Sequence, residues 1–293
     1  MPTGHLALTF DDGYASDYDD VYPVLDERDV PASLAIVPGW LGEEGHMTVD
    51  QLRELVDDGW EVMGHGRRHR YMQAHALAAD ASAGDERVVL DSDHVFPDEE
   101  HGIYPGDEFE VTDGTRTETV TLAAKGADDG VPFLRFEGAL GTDFDAAETV
   151  VRPTEAQIRD EIEGSKAELG GLGFEPTTFT LPYDAGDARV WRVVAEQFDA
   201  LADAAVRSLP NPPGTSPLAL QRYYLETNHM RMVEIESYLD LVAEQGGIGI
   251  LAGHTAWETV PPERVAAVVD AAHERDVEVT TVREAVEAQG ASP

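Results

Sequence analysis

Two adjacent carboxylates, Asp11 and Asp12, end the alternating run LALTFDDG at residues 6–13. The pattern reads as a buried strand that delivers acids to its C-terminal tip. Like charges side by side there call for a positive partner, so the pair points to a metal ion or to base chemistry. Read alone, D-D-G is equally an ordinary turn after a strand. His65 and His69 stand four apart in H-G-R-R-H, a spacing that turns both imidazoles the same way in a tight or helical turn; a bare H-x3-H also describes two surface histidines. Two His and one carboxylate make a three-ligand site with a fourth position left for water, the arrangement of a catalytic zinc centre. The 293 residues include no cysteine, which excludes disulfides and thiolate ligands and leaves any metal to His, Asp or Glu.

The elements that must position these groups alternate. After the first strand, Asp17–Arg28 has the spacing of a helix and Ser33–Val37 of a strand. Thr48 caps a helix running to Asp58, Gly59 ends it, and Trp60–Met63 is a third strand. Between residues 71 and 153 the pattern breaks for about 80 residues, where a loop would take about 6. Five strand-like segments fall there (87–90, 108–112, 118–123, 133–137 and 149–152), separated by Gly- and Asp-rich turns. Alternation then resumes to Val282. The expected fold is α/β: a distorted (β/α) barrel of about seven to eight strands at 1–70 and 154–293, with an inserted small antiparallel β domain, barrel or sandwich, at 71–153. Because the insertion leaves directly after His69, it is expected to form part of the active-site wall or a subunit contact beside it, the latter giving an oligomer through the inserted domain.

In such barrels the loops after the strands carry the chemistry. The strand tips offer Asp11 and Asp12, then His65 and His69, then Pro182, Tyr183 and Asp184, and finally His254. T-F-D-D-G at a first strand, H-x3-H at a third and a late strand ending in I-L-A-G-H resemble the NodB-type polysaccharide deacetylases, carbohydrate esterase family 4, over all of the chain but the insertion. The resemblance implies Asp11 as catalytic base, Asp12, His65 and His69 as ligands of one divalent metal ion, and His254 as general acid. The backbone N–H of Tyr183, after Pro182, would be the oxyanion donor. The ion would be zinc, with Co, Ni or Mn also suited to such a donor set. Thr180 stands where many members have an arginine that orients the base, and Arg222 on a later strand is the candidate substitute. Gly66 replaces the usual Ser or Thr. Trp40, after the second strand, and Trp257, after His254, are placed either to stack on a sugar ring or as rim packing; with Pro182 and Arg222 they make up the expected substrate-facing group. Asp184 and Asp187 read as turn and cap residues, and His5, His46, His75, His94, His101, His229 and His273 as solvated or structural.

The implied reaction is removal of N-acetyl groups from an amino sugar or polysaccharide. Its rivals are an amidase of the same fold acting on a non-sugar C–N bond, and a non-catalytic sugar-binding protein. No apolar run approaches the length of a membrane span, and MPTGH enters the first strand without an apolar leader, so a cytoplasmic protein without membrane contact is expected. The formal charge of −38, from 58 acidic and 20 basic residues of which only Lys125 and Lys166 are lysines, argues against nucleic acid as a partner. Such a surface repels itself in dilute buffer and is screened in concentrated salt, which fits a salt-loving host. The melting temperature should therefore rise between 0.1 M and about 3 M KCl; a flat or falling trend would remove salt adaptation as the reason for the charge.

Overall fold

A computed structural model describes residues 4–92, 102–204 and 209–290 of the chain. The first strand, β1 (Gly4–Asp11), alternates as its sequence demands. Leu6, Leu8 and Phe10 join the large apolar cluster with helix residues such as Leu25, Val265 and Val268, whereas Ala7 packs with Ala35, Met63, Ala202 and Ile250 from the other strands. Thr9 and Asp11 share the face of Ala7, because side chains alternate with period two.

β2 (Ser33–Ile36) and β3 (Glu61–Gly64) follow. The expected first helix is a five-residue π turn, Asp17–Val21, running into an α-helix at Tyr22–Asp26; such wide turns recur at functional sites. The helix before β3 spans Val49–Asp57, and Thr48 and Gln51 close a reciprocal capping box at its start.

Six antiparallel strands come next: β4 (His75–Leu77), β5 (Arg87–Asp91), β6 (Glu108–Thr112), β7 (Thr117–Asp128), β8 (Val131–Phe136) and β9 (Val150–Pro153). They close in the order β4-β5-β8-β7-β6-β9, with β9 pairing back onto β4, so the inserted element is a barrel and not a sandwich. The sequence pattern did not single out β4, whose three residues are too few to show a period.

The parallel sheet continues with β10 (Thr178–Phe179), β11 (Ala200–Ala204), β12 (Leu220–Tyr224), β13 (Gly247–Gly253) and β14 (Glu278–Thr280). The strands β1, β2, β3, β10, β11, β12 and β13 form a ring of seven that closes by β13 on β1. β14 is the eighth, pairing with His5–Ala7 of β1 while β2 pairs with Thr9–Asp11. One edge of β1 thus serves two neighbours in succession, which is the distortion of the barrel.

By its contacts the chain divides into one unit of residues 1–67, 164–184 and 194–293 and another of 68–163 and 185–193. Within the first, the seam between β3 and β10 holds only one register pair, Phe179 with Gly64. Glu61, buried on β3, reinforces it: one carboxylate oxygen accepts from Thr178 Oγ1 at 2.6 Å, the other from Ser33 Oγ at 2.8 Å and from the Arg283 N–H at 3.0 Å. Glu61→Ala would strand these buried donors and should cost about 2–3 kcal/mol in urea unfolding. Glu61→Gln, which keeps an acceptor, should cost less.

Candidate active site

Asp12, His65 and His69 offer ligand atoms that all lie within 4.8 Å of one another, and all three residues are buried. Asp12 follows β1 with φ 77°, and Gly13 continues the left-handed turn at φ 73°. This backbone carries Asp12 off the strand direction. His65 follows β3 directly, and its Nδ1–H donates to the Thr180 carbonyl at 3.0 Å. That bond fixes the tautomer, because a carbonyl can only accept, and it leaves Nε2 as a lone-pair donor. Nε2 sits 3.4 Å from Asp12 Oδ1. A tetrahedral centre with bonds of about 2.1 Å spaces its donors by about 3.4 Å, so the residues present fit a divalent ion in geometry and in donor type. His69 has φ 57° and Gly66 φ 75°; the turn between the two histidines needs a left-handed residue at 66, which accounts for glycine where the resemblance leads one to expect Ser or Thr. Tyr14, which the sequence did not bring forward, donates its hydroxyl to Asp12.

Asp11, on the inner face of β1, meets Arg222 of β12. The guanidinium is fully buried and bidentate: Nη1 donates to Oδ1 at 2.8 Å and Nη2 to Oδ2 at 3.0 Å. Nη1 also lies 3.3 Å from Thr9 Oγ1, and Nη2 donates to Asp184 Oδ1 at 3.1 Å. Burial works to raise the Asp11 pKa, but Arg222, helped by His65 and His254, more than offsets it and holds the carboxyl below its ordinary value. Thr180 turns its hydroxyl to the Ala202 carbonyl at 2.7 Å. Asp184 is more than a turn residue, since it also accepts from the Tyr224 hydroxyl. Asp187 caps its helix as expected, accepting from the Arg189 N–H at 2.8 Å. Pro182, Tyr183 and Asp184 form one short turn after β10, with Tyr183 at φ 58° and Asp184 at φ 50°.

His254, after β13, points Nε2 toward Asp12 Oδ2 at 3.9 Å and donates from Nδ1 to Glu226 Oε1 at 3.1 Å. Burial disfavours its charge, yet the Glu226 bond together with Asp11 and Asp12 raises its pKa to about 9. Trp257 stacks on this imidazole with centroids 4.0 Å apart and is 48% exposed. Trp40 packs against His46, which also stacks on Tyr14. His94 and His101 lie outside the described residues.

Glu226 and Asp17 went unrecognised in the sequence, where each is one of 58 acids. Asp17 is fully buried; its Oδ1 accepts from Thr255 Oγ1 at 2.6 Å, and Thr255 Oγ1 lies 2.7 Å from Ser16 Oγ. The bond ties the turn after β1 to the loop that carries His254.

Burial, with Asp12 and Asp11 adding and the Thr255 bond and His254 opposing, raises the Asp17 pKa to about 8. A carboxyl with a raised folded-state pKa contributes stability that is present at low pH and is lost as pH climbs toward that pKa. Between pH 5 and 8 the native state holds a proton that the unfolded chain has released. Asp17 should therefore subtract about 1.4 kcal/mol of stability per pH unit over that window. Asp17→Asn should remove this slope, read as the difference between the two chains' urea unfolding curves; parallel pH dependences would contradict it.

The model of the family described as polysaccharide deacetylase matches residues 1–89. A provisionally named polysaccharide deacetylase of Bacillus subtilis (strain 168), YxkH, is 34% identical over 64 residues; these make up 22% of this chain and 23% of that protein, so the chain spans under a quarter of the relative's length in this match. Among solved structures, the family 4 carbohydrate esterase from Streptomyces lividans, in complex with acetate, aligns over 95% of this chain and 93% of its own at 13% identity and TM-score 0.50. The structure described as T48 deacetylase with substrate aligns over 97% and 92% at 14% identity and TM-score 0.50. Residues 1–89 thus match the polysaccharide deacetylase family model, and the fold is similar to that of a family 4 carbohydrate esterase.

Proposed function

We propose that this protein is a metal-dependent hydrolase that removes N-acetyl groups from an amino sugar or polysaccharide. The observation that carries the reading is the convergence on Asp12 of two histidine donors, with an arginine-held carboxylate on one side and a carboxylate-held imidazole on the other. Asp12, His65 and His69 would hold the ion, most simply zinc, with Co, Ni or Mn also compatible. When bound, the ion supplies activation of water and polarisation of the amide carbonyl.

The chain's own residues do the rest. Asp11, kept ionised and fixed in rotation by Arg222, takes the proton of the attacking water. The Tyr183 backbone N–H donates to the oxygen that gains charge as the carbonyl becomes tetrahedral. His254 gives its proton to the departing amine, and Glu226 behind Nδ1 favours the charged imidazole that this step needs. Trp257, stacked on His254 and half exposed, offers its rim to a sugar ring beside the acid, with Trp40 in the same substrate-facing group, whereas Pro182 is buried.

Acetate release from N-acetylglucosamine oligomers, beside a panel of simple amides, tests the reading. Activity should vanish with a chelator and return with Zn²⁺. Asp11→Asn should lower kcat by about 10²–10⁴ with little change in metal content, and His65→Ala should lose both metal and turnover. Full metal occupancy in His65→Ala, or turnover indifferent to chelation, would overturn the proposal. Turnover confined to the simple amides would replace the sugar with another acyl amine.

A further inference from the structure

His69 occupies the left-handed region at φ 57° without being glycine, a conformation that costs an L residue free energy and persists only where its surroundings impose it. One buried side chain here reaches the residues on both sides of it. Glu161, on the helix Glu155–Gly171, is completely buried. Its Oε1 accepts from the Arg68 N–H at 2.8 Å and from the Arg70 N–H at 2.9 Å, the residues on either side of His69. Alternate backbone N–H groups converge in this way when the residue between them is left-handed, forming a concave anion site in the main chain. In this protein the anion is supplied internally.

We infer that Glu161 is a positioning residue for His69, holding the turn that aims this imidazole at the metal site; the inference rests on the reading of His69 as a ligand. The other oxygen of Glu161 accepts from Arg70 Nη1 at 2.9 Å, and Arg70 Nε donates to Asp107 Oδ1 at 3.0 Å. Asp107 in turn accepts from the Tyr104 N–H at 2.9 Å, and the Tyr104 hydroxyl donates to the Arg68 carbonyl at 2.6 Å. Both neighbours of His69 are therefore held, through main chain and side chain alike, by a buried network that runs back to one carboxylate. Glu161 itself accepts only from Arg68 and Arg70 in these bonds, and its effect on the site passes through the backbone on each side of the ligand.

The test is Zn²⁺ affinity of the full chain, stripped with a chelator and titrated against a competing indicator, with the Co²⁺ visible spectrum as a second readout of coordination. Glu161→Ala should weaken Zn²⁺ binding by about 10- to 100-fold, the range typical of residues that orient a ligand. Glu161→Asp keeps the charge opposite Arg70 but draws the acceptor back from the two N–H groups. It should weaken binding in the same direction, and it carries the test if the alanine variant does not fold. Glu161→Gln, which retains an oxygen acceptor of the same reach, should stay within a few-fold of the parent. In a His69→Ala background, Glu161→Asp should cause no further loss. Wild-type Zn²⁺ affinity in folded Glu161→Asp, or an equal loss with and without His69, would overturn the inference. If His69→Ala itself left Zn²⁺ binding and the Co²⁺ spectrum unchanged, the ligand reading would fall and this inference with it.

Discussion

A guanidinium with no exposure to solvent sits inside the parallel barrel, and the geometry of the site depends on the ion pairs that its two terminal nitrogens make. Burying a charge costs several kcal/mol unless good geometry and further hydrogen bonds repay it. Arg222 meets that condition by binding both oxygens of Asp11 and reaching Thr9 and Asp184 as well. The small inward side chains of β1, β2 and β11, namely Ala7, Ala35 and Ala202, leave the interior room for a long polar one. Loss of either partner would leave a bare charge in that interior, a change of about 3–5 kcal/mol. The pair joins β1, β12 and the turn after β10, so Asp11, the strand that supplies the arginine and the Tyr183 turn are placed by one interaction.

Three acids within seven residues of sequence meet three different fates, each set by what the fold puts opposite them. Asp11 is compensated by a fixed cation. Asp12 receives a tyrosine hydroxyl and faces two imidazoles. Asp17 is held by the Thr255 hydroxyl with no cation bonded to it in the way Arg222 binds Asp11, and burial pushes its pKa up.

The sequence made the alternation of β1, the run of βα units and five of the six strands of the insertion legible because each depends on local period and turn chemistry. The grouping of Asp12 with His65 and His69 was legible for a similar reason, since D-D-G and H-x3-H are local motifs. Arg222 could be picked out because an arginine was missing at Thr180 and another stood on a later strand. Glu226, Asp17 and Glu161 were not legible. Their partners lie 28, 238 and 91–93 positions away, and in a chain so rich in acids a buried carboxylate looks like any solvated one. The place of β14 beneath β2 was equally hidden, because which half of a strand edge a neighbour occupies is settled by three-dimensional closure and not by composition.

The seam between β3 and β10 also has a kinetic side. These strands flank the insertion, so joining them early means closing a loop of residues 65–177, and the seam offers one register pair in return. The first and last strands of the inserted barrel pair with each other, His75 opposite Val151. Once that barrel has formed, the effective loop shrinks about threefold, and the entropic cost of closure falls by about 1 kcal/mol. The order in which the chain is assembled is thereby biased: the part that interrupts the parallel ring, if it forms first, makes the ring easier to close.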